Sequence, residues 1–293
     1  PIIQWIIERK SGEIWFATEF HGVLRYDVER VKTVISHQEL QVYTEGGGVN
    51  AAALAEDKLG NLWVATWNGG VLKYDGERLT KYSIKDGLGY NCFKAALEDS
   101  KGNIWFGSWG VGGSNGVSRY DGEKFQYFTA EDGLAHNSIY WITEDSEGLI
   151  WFCTENGVSV FDGESFQNIR EENGLPHNLV TSAMQDRDGS LWFGTQGGGI
   201  ARFDRNIQSF TVKDGLADNL IKAVYQDSKE NIWFATNGGV SKYDGERFET
   251  FTKADGLVSD NVLSIMEDKR GDIWLGTWNG VNRYDGTSFQ KVI

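Results

Sequence analysis

Cysteine, proline, methionine and histidine are all scarce in this chain of 293 residues, with 2, 2, 2 and 4 copies. Two cysteines are too few to staple a fold of this size, so stability must come from a packed core. No apolar run approaches the ~20 residues of a membrane-spanning helix and no signal peptide is visible, so direct membrane insertion is not expected. Basic residues are in deficit as well: 28 Lys and Arg against 42 Asp and Glu leave a formal charge of -14. Such a balance lacks the cationic surface that phosphate backbones and anionic lipids require, which argues against nucleic acid as a partner. The first residue is Pro1 and not methionine, from which removal of an upstream segment is expected. Glycine (37) and tryptophan (12) are abundant instead, a composition of tight turns and recurring aromatic anchors.

The tryptophans fall into register. An Ile/Leu-Trp-hydrophobic tripeptide recurs at Trp15, Trp63, Trp105, Trp151, Trp192, Trp233 and Trp274, at spacings of 48, 42, 46, 41, 41 and 41 residues. Seven copies of one unit thus fill the chain. In the sixth copy four β-type runs are predicted over 220–226, 231–236, 240–243 and 248–252. The last of the turns between them is Asp-Gly, a two-residue hairpin sequence. No copy carries an apolar stripe of 3.6-residue period, which excludes stacked helix pairs. The prediction is an all-β fold, a single seven-bladed β-propeller of four-stranded antiparallel blades over 1–293. Blades are expected at about 1–49, 50–90, 91–136, 137–177, 178–218, 219–259 and 260–293.

The chain begins with a first strand and ends with a fourth, so no blade mixes strands from the two ends. The ring is predicted to close without a strand-swapped clasp, by packing blade seven on blade one, and either end is free to continue into further domains of a parent chain. Two insertions are expected in surface loops. One stretches the third-to-fourth strand connection of blade one between Asp27 and Tyr43; the other lengthens the second-to-third strand loop of blade three, within 109–115.

Positions that repeat have structural readings. The anchor tryptophan should pack between blades, and two residues later stand Ala17, Ala65, Gly107, Cys153, Gly194, Ala235 and Gly276. Small size is required there, which makes Cys153 a filler and not a nucleophile, and Cys92 lies in another blade at another depth. Segments between blades read Asp-Gly-Leu-x-x-Asn at 86–91, 132–137 and 214–219, with variants at 173–178 and 255–260. Asp-Gly supplies a turn, Leu plugs the gap between blades and Asn bonds backbone. One carboxylate per loop is too few for calcium.

The runs Ile104–Ser108, 116–122 and 128–134 make the chain resemble the two-component regulator propeller repeat, with Ser108 where threonine is usual. The resemblance covers essentially the whole chain. It implies the sensor region of a bacterial two-component-type signalling protein, periplasmic or extracytoplasmic, that binds a ligand or a protein and is not an enzyme. No kinase, receiver or DNA-binding segment is present in the chain. A more distant likeness is to streptogramin-lyase-type propellers, which are enzymes.

Candidates for function lie on variable positions of the face where loops converge on the channel. The fourth residue after each anchor is Glu19, Trp67, Trp109, Glu155, Gln196, Asn237 or Trp278. Ring order predicts an aromatic arc of Trp278, Phe20, Trp67 and Trp109, with Asn68 and Asn279 beside it and Glu155, Gln196 and Asn237 opposite. Such a surface suits a small-molecule or glycan ligand, sugar-like or flat, without metal or cofactor. The same rings would serve a protein partner, or pack beneath the 109–115 loop. The enzymatic alternative uses His136, Glu155 and His177 as acid, base or ligands of a divalent metal such as Mg or Ca. Gln4, Ala52, Lys94, Tyr140, Thr181, Lys222 and Leu263 should edge the channel; Lys94 and Lys222 would draw in an anion, or simply be solvated.

Overall fold

A computed structural model describes residues 1–27, 30–42, 50–110, 116–204 and 207–293. Seven four-stranded antiparallel sheets each take their strands in chain order. Their first strands, Ile2–Glu8, Asn50–Glu56, Phe93–Glu98, Ile139–Glu144, Val180–Gln185, Ile221–Gln226 and Val262–Glu267, contact one another in a closed ring, the last against the first. This is the seven-bladed propeller read from the repeat. It has no clasp, because all strands of blades one and seven come from their own end of the chain. No helix among the described residues is long and apolar enough to cross a membrane.

A single sheet cannot bury both faces, so the core lies between blades. The anchor tryptophans are buried, and in six blades the indole Nε1 donates to an aspartate six residues upstream: Asp57, Asp99, Asp145, Asp186, Asp227 and Asp268, at 2.7–2.9 Å. Blade one carries Arg9 at that position; its guanidinium lies 5.0 Å from the Trp15 ring and pairs with Glu56 at 3.0 Å, and the Trp15 indole N–H has no partner among the described residues. The small residues after the anchor face the next blade. A Cβ on Gly107 would meet Ile139 of blade four at 2.6 Å, and one on Gly276 would meet Ile3 of blade one at 2.8 Å.

The last residue of every first strand is Glu or Gln, and each side chain accepts a backbone N–H from the preceding blade's hairpin. Lys10 donates to Glu56, Lys58 to Glu98, Ser100 to Glu144, Ser146 to Gln185, Arg187 to Gln226 and Ser228 to Glu267, at 2.6–2.9 Å. Lys269 completes the circle onto Glu8 at 3.2 Å. Ring closure therefore rests on this bond, on the Lys269 ammonium donating to the Lys10 carbonyl at 3.1 Å, and on a cluster in which Ile3, Ile6 and Phe16 pack with Met266, Trp274 and Val281. Gly276→Val is expected to overpack this joint and cost about 1–3 kcal/mol, read as a lower urea midpoint; an unchanged midpoint would mean the joint is loose.

The blade-to-blade segments behave as read. Leu88, Leu134, Leu175, Leu216 and Leu257 are buried, Gly87 takes a φ of 100°, and the Asn91 amide oxygen accepts from the Ile84 N–H at 3.1 Å. The blade-one insertion is placed differently from the reading. The fourth strand, Arg30–Ile35, follows the third, Gly22–Asp27, directly, and the extra chain comes afterwards, opening with the helix His37–Val42. Residues 43–49 and 111–115, which hold much of both insertions, lie outside the described residues.

Candidate functional site

In every blade the pairing of the first strand with the second skips one residue: Gln4, Ala52, Lys94, Tyr140, Thr181, Lys222 and Leu263 stand outside the ladder. A bulge re-aims a side chain, and all seven turn inward to line one cavity of about 460 Å³ over the channel. The residue after the bulge is small in five blades (Ala53, Ala95, Ser182, Ala223 and Ser264) but is Trp5 in blade one and Trp141 in blade four. Those two indoles reach across the axis and stack, centroids 4.5 Å apart, and both line the cavity. They form its floor.

The rim is built by a hydroxyl three residues after each anchor. Thr18, Thr66, Ser108, Thr154, Thr195, Thr236 and Thr277 donate to the glycine carbonyl opening the third strand, at 2.7–2.9 Å; Ser108 replaces threonine without losing the bond. The next residue is thereby held at the channel mouth. Glu19, Trp67, Trp109, Gln196, Asn237 and Trp278 line the cavity, and Glu155 does not. Trp67 and Trp109 stack at 5.8 Å, and Trp109 meets Tyr140 edge-on at 6.5 Å. Of the residues expected to contact a ligand, Trp67, Trp109, Trp278, Gln196 and Asn237 are in the wall, whereas Phe20, Asn68 and Asn279 are outside it. Phe20 takes a φ of 72° and turns out against His37, 6.5 Å away. Glu19 stands in its place and accepts from the Gln4 amide at 3.3 Å, so the aromatic arc is interrupted at blade one.

The histidine constellation comes together only in part. Nδ1 of His136 accepts the Ser138 N–H at 3.1 Å, and Nδ1 of His177 accepts that of Leu179 at 3.0 Å. Asp218 and Ser259 cap the same backbone position in the following blades, so this site favours any short acceptor. His136 approaches Glu155 at 3.8 Å, with both side chains well exposed. His177, one blade further round and turned to its own backbone, does not complete a ligand set: no group of three metal-ligating side chains occurs among the described residues. Both cysteines are free and buried, and burial pushes the Cys153 thiol well up, which fits a filler.

The lysines depart from a solvated reading. Lys94 Nζ lies 4.2 Å from the Tyr140 ring centroid and 5.3 Å from that of Trp109. Its ammonium has neither hydrogen-bond acceptor nor carboxylate partner among the described residues. Lys94 as a whole residue is half-buried, yet burial of its ammonium, and then the charge of Lys222, lower its pKa to about 8. Lys222 donates to Asn261 Oδ1 at 2.9 Å; burial lowers its pKa too, and Asp218 works against that. Burial raises the Tyr140 phenol, partly offset by a hydrogen bond with Trp109.

Comparison with known proteins places this geometry. The family described as Two component regulator propeller matches residues 45–68, 87–110, 133–156, 174–197, 215–238 and 256–279, the segments leading into and through the first two strands of blades two to seven. No curated protein sequence matches the chain. Among solved structures it is similar to the extracellular domain of BT3049 from B. thetaiotaomicron, described as a hybrid two component system, with 26% identity, a TM-score of 0.73 and coverage of 99% of this chain and 46% of that one. A streptogramin B lyase shares 17% identity at a TM-score of 0.75, covering 96% and 92%. PorZ, a surface component of the type-IX secretion system of Porphyromonas gingivalis, shares 20% at 0.71, covering 94% and 46%. The likeness to the lyase and to PorZ is one of fold alone, and the chain spans about half the length of the BT3049 domain. Its repeats and its fold make this chain a propeller of the two-component regulator propeller family.

Proposed function

We propose that this propeller is a ligand-sensing module of an extracytoplasmic two-component-type signalling protein, and that it binds a sugar-like or flat organic ligand in the cavity over the channel. The observation that carries this reading is the wall of stacked Trp67 and Trp109 rings, 5.8 Å apart, at the mouth of a cavity of about 460 Å³. That volume lies within the range of small-molecule sites, about 300–1,000 Å³. The half-buried indoles of Trp67 and Trp109 and the exposed one of Trp278 match the apolar faces of sugar and aromatic rings, while Gln196 and Asn237 across the mouth supply donors and acceptors. The similarity to the extracellular domain of BT3049 supports the sensory role and the compartment.

Titration with neutral and acidic oligosaccharides and fused-ring aromatics, followed by tryptophan fluorescence, tests the reading. A binder should shift the emission, and Trp67→Ala combined with Trp109→Ala should weaken it at least tenfold, about 1.4 kcal/mol. Binding that ignores the double substitution would place the ligand elsewhere. An enzymatic reading has less behind it, since only His136 and Glu155 of its three residues approach one another.

A further inference from the structure

Most cations whose contacts are described in this acidic protein have an oxygen partner. Arg9 pairs with Glu56 and Arg25 with Glu13, Lys10 donates to the Asp57 carbonyl and Lys58 to that of Ser100. Lys94 is different. It projects from the bulge of blade three into the cavity, is cradled by the faces of Tyr140 and Trp109, and meets no acceptor among the described residues. Lys222 enters the same cavity from blade six, near enough for its charge to bear on Lys94. Two ammonium groups converging in one cavity of a protein with a formal charge of -14 create a local positive field where the surroundings are negative. The carboxylate in the wall, Glu19, stands on blade one beside Gln4; Glu155 and Asp218 are outside the lining.

We infer that the cavity selects a ring that carries a carboxylate, the ring lying against Trp67 and Trp109 and the carboxylate pointing down the channel to the Lys94 ammonium, with Lys222 contributing from blade six. This rests on the reading of the cavity as a ligand site and adds the charge of its ligand. The Lys94 ammonium sits beside the Trp109 ring, so a substituent directed inward from a ring on that wall meets it. The floor is the indole pair of Trp5 and Trp141, and among the described residues no arginine lines the cavity. A phosphate dianion is better served by guanidinium forks and clustered backbone N–H groups; a flat, singly charged group fits two point cations over an apolar floor.

The test uses the full chain, isothermal titration calorimetry at pH 7, and two matched pairs: trigalacturonate with its methyl ester, and 2-naphthoate with 2-naphthamide. The sugar pair and the aromatic pair separate the two sources of ring carboxylate. In at least one pair the acid is expected to bind at least tenfold more tightly than its neutral counterpart. Lys94→Met should bring the acid down to the neutral level, and Lys94→Arg should keep most of the preference. Equal affinities within both pairs, absence of binding by all four probes, or a preference that survives Lys94→Met would overturn the inference. Trp67→Ala with Trp109→Ala separates the two claims. If both members of a pair weaken together while no acid preference exists, the cavity is a ligand site and the inferred charge is wrong. If neither member responds, the site itself is wrong.

Discussion

Asp227→Ala is expected to destabilise the protein by about 3 kcal/mol, among the larger effects of any single polar side chain here. The buried carboxylate accepts from the Trp233 indole at 2.8 Å, from the backbone and side-chain amides of Asn231 at 2.8 Å each, and from the Lys229 N–H at 2.9 Å. Alanine strands four donors, one of them on a tryptophan buried between two blades. Urea unfolding would read the loss, and a change below about 1 kcal/mol, the usual scale of one ordinary hydrogen bond, would show that water or local relaxation replaces the carboxylate. Blade one shows that a different solution exists. There the Trp15 N–H has no partner among the described residues while Arg9 covers the ring and reaches over to Glu56 and the Gly60 carbonyl.

Lys94→Met should do the opposite and stabilise the unliganded protein at pH 7, by on the order of 2 kcal/mol. Burial and the Lys222 charge hold the Lys94 pKa at about 8, against 10.5 for a free lysine. Between those two values the unfolded chain binds a proton that the folded protein has released, so wild-type stability rises with pH across that window. Below it the cost of the charged, buried ammonium is present in full. Methionine removes the ionisation while keeping a long apolar stem over Tyr140 and Trp109, so the gain at neutral pH should come with a flatter stability profile between pH 8 and 10.5. Tyr140, whose own pKa is raised, ionises above most of this window, and Glu19 is bonded to Gln4. A Lys94→Met protein less stable than wild type at pH 7, or one with an unchanged slope, would show that the ammonium is better solvated in the cavity than its position suggests.

Much of the architecture could be read from the chain because it is said seven times. The anchor tryptophans, the small residues that admit the next blade and the Asp-Gly-Leu segments recur at fixed offsets, so chance at one copy is corrected by the others. The channel-edging set from Gln4 to Leu263 was legible for the same reason. Features confined to one or two copies were not. Trp5 and Trp141 occupy a position that is small in the other five blades, and only the bulge before them aims them at the axis. Counting from the anchor could not decide which of two consecutive residues faces inward, and the left-handed φ of Phe20 hands that place to Glu19. The blade-one insertion is hard to place from the chain because Asp27 is followed by Val28 where five of the other six blades have glycine, which hides the hairpin. The two lysines read as solvated because nothing local in the chain announces that Trp109 and Tyr140 close over one of them.

The stacked pair of Trp5 and Trp141 spans the axis and ties blade one to blade four. It also acts as a cross-brace. Blade one is joined to its chain-distant neighbour only by packing and side-chain bonds, but through Trp5 it is also fastened to the far side of the wheel. Any outward movement of either blade would have to break that ring contact.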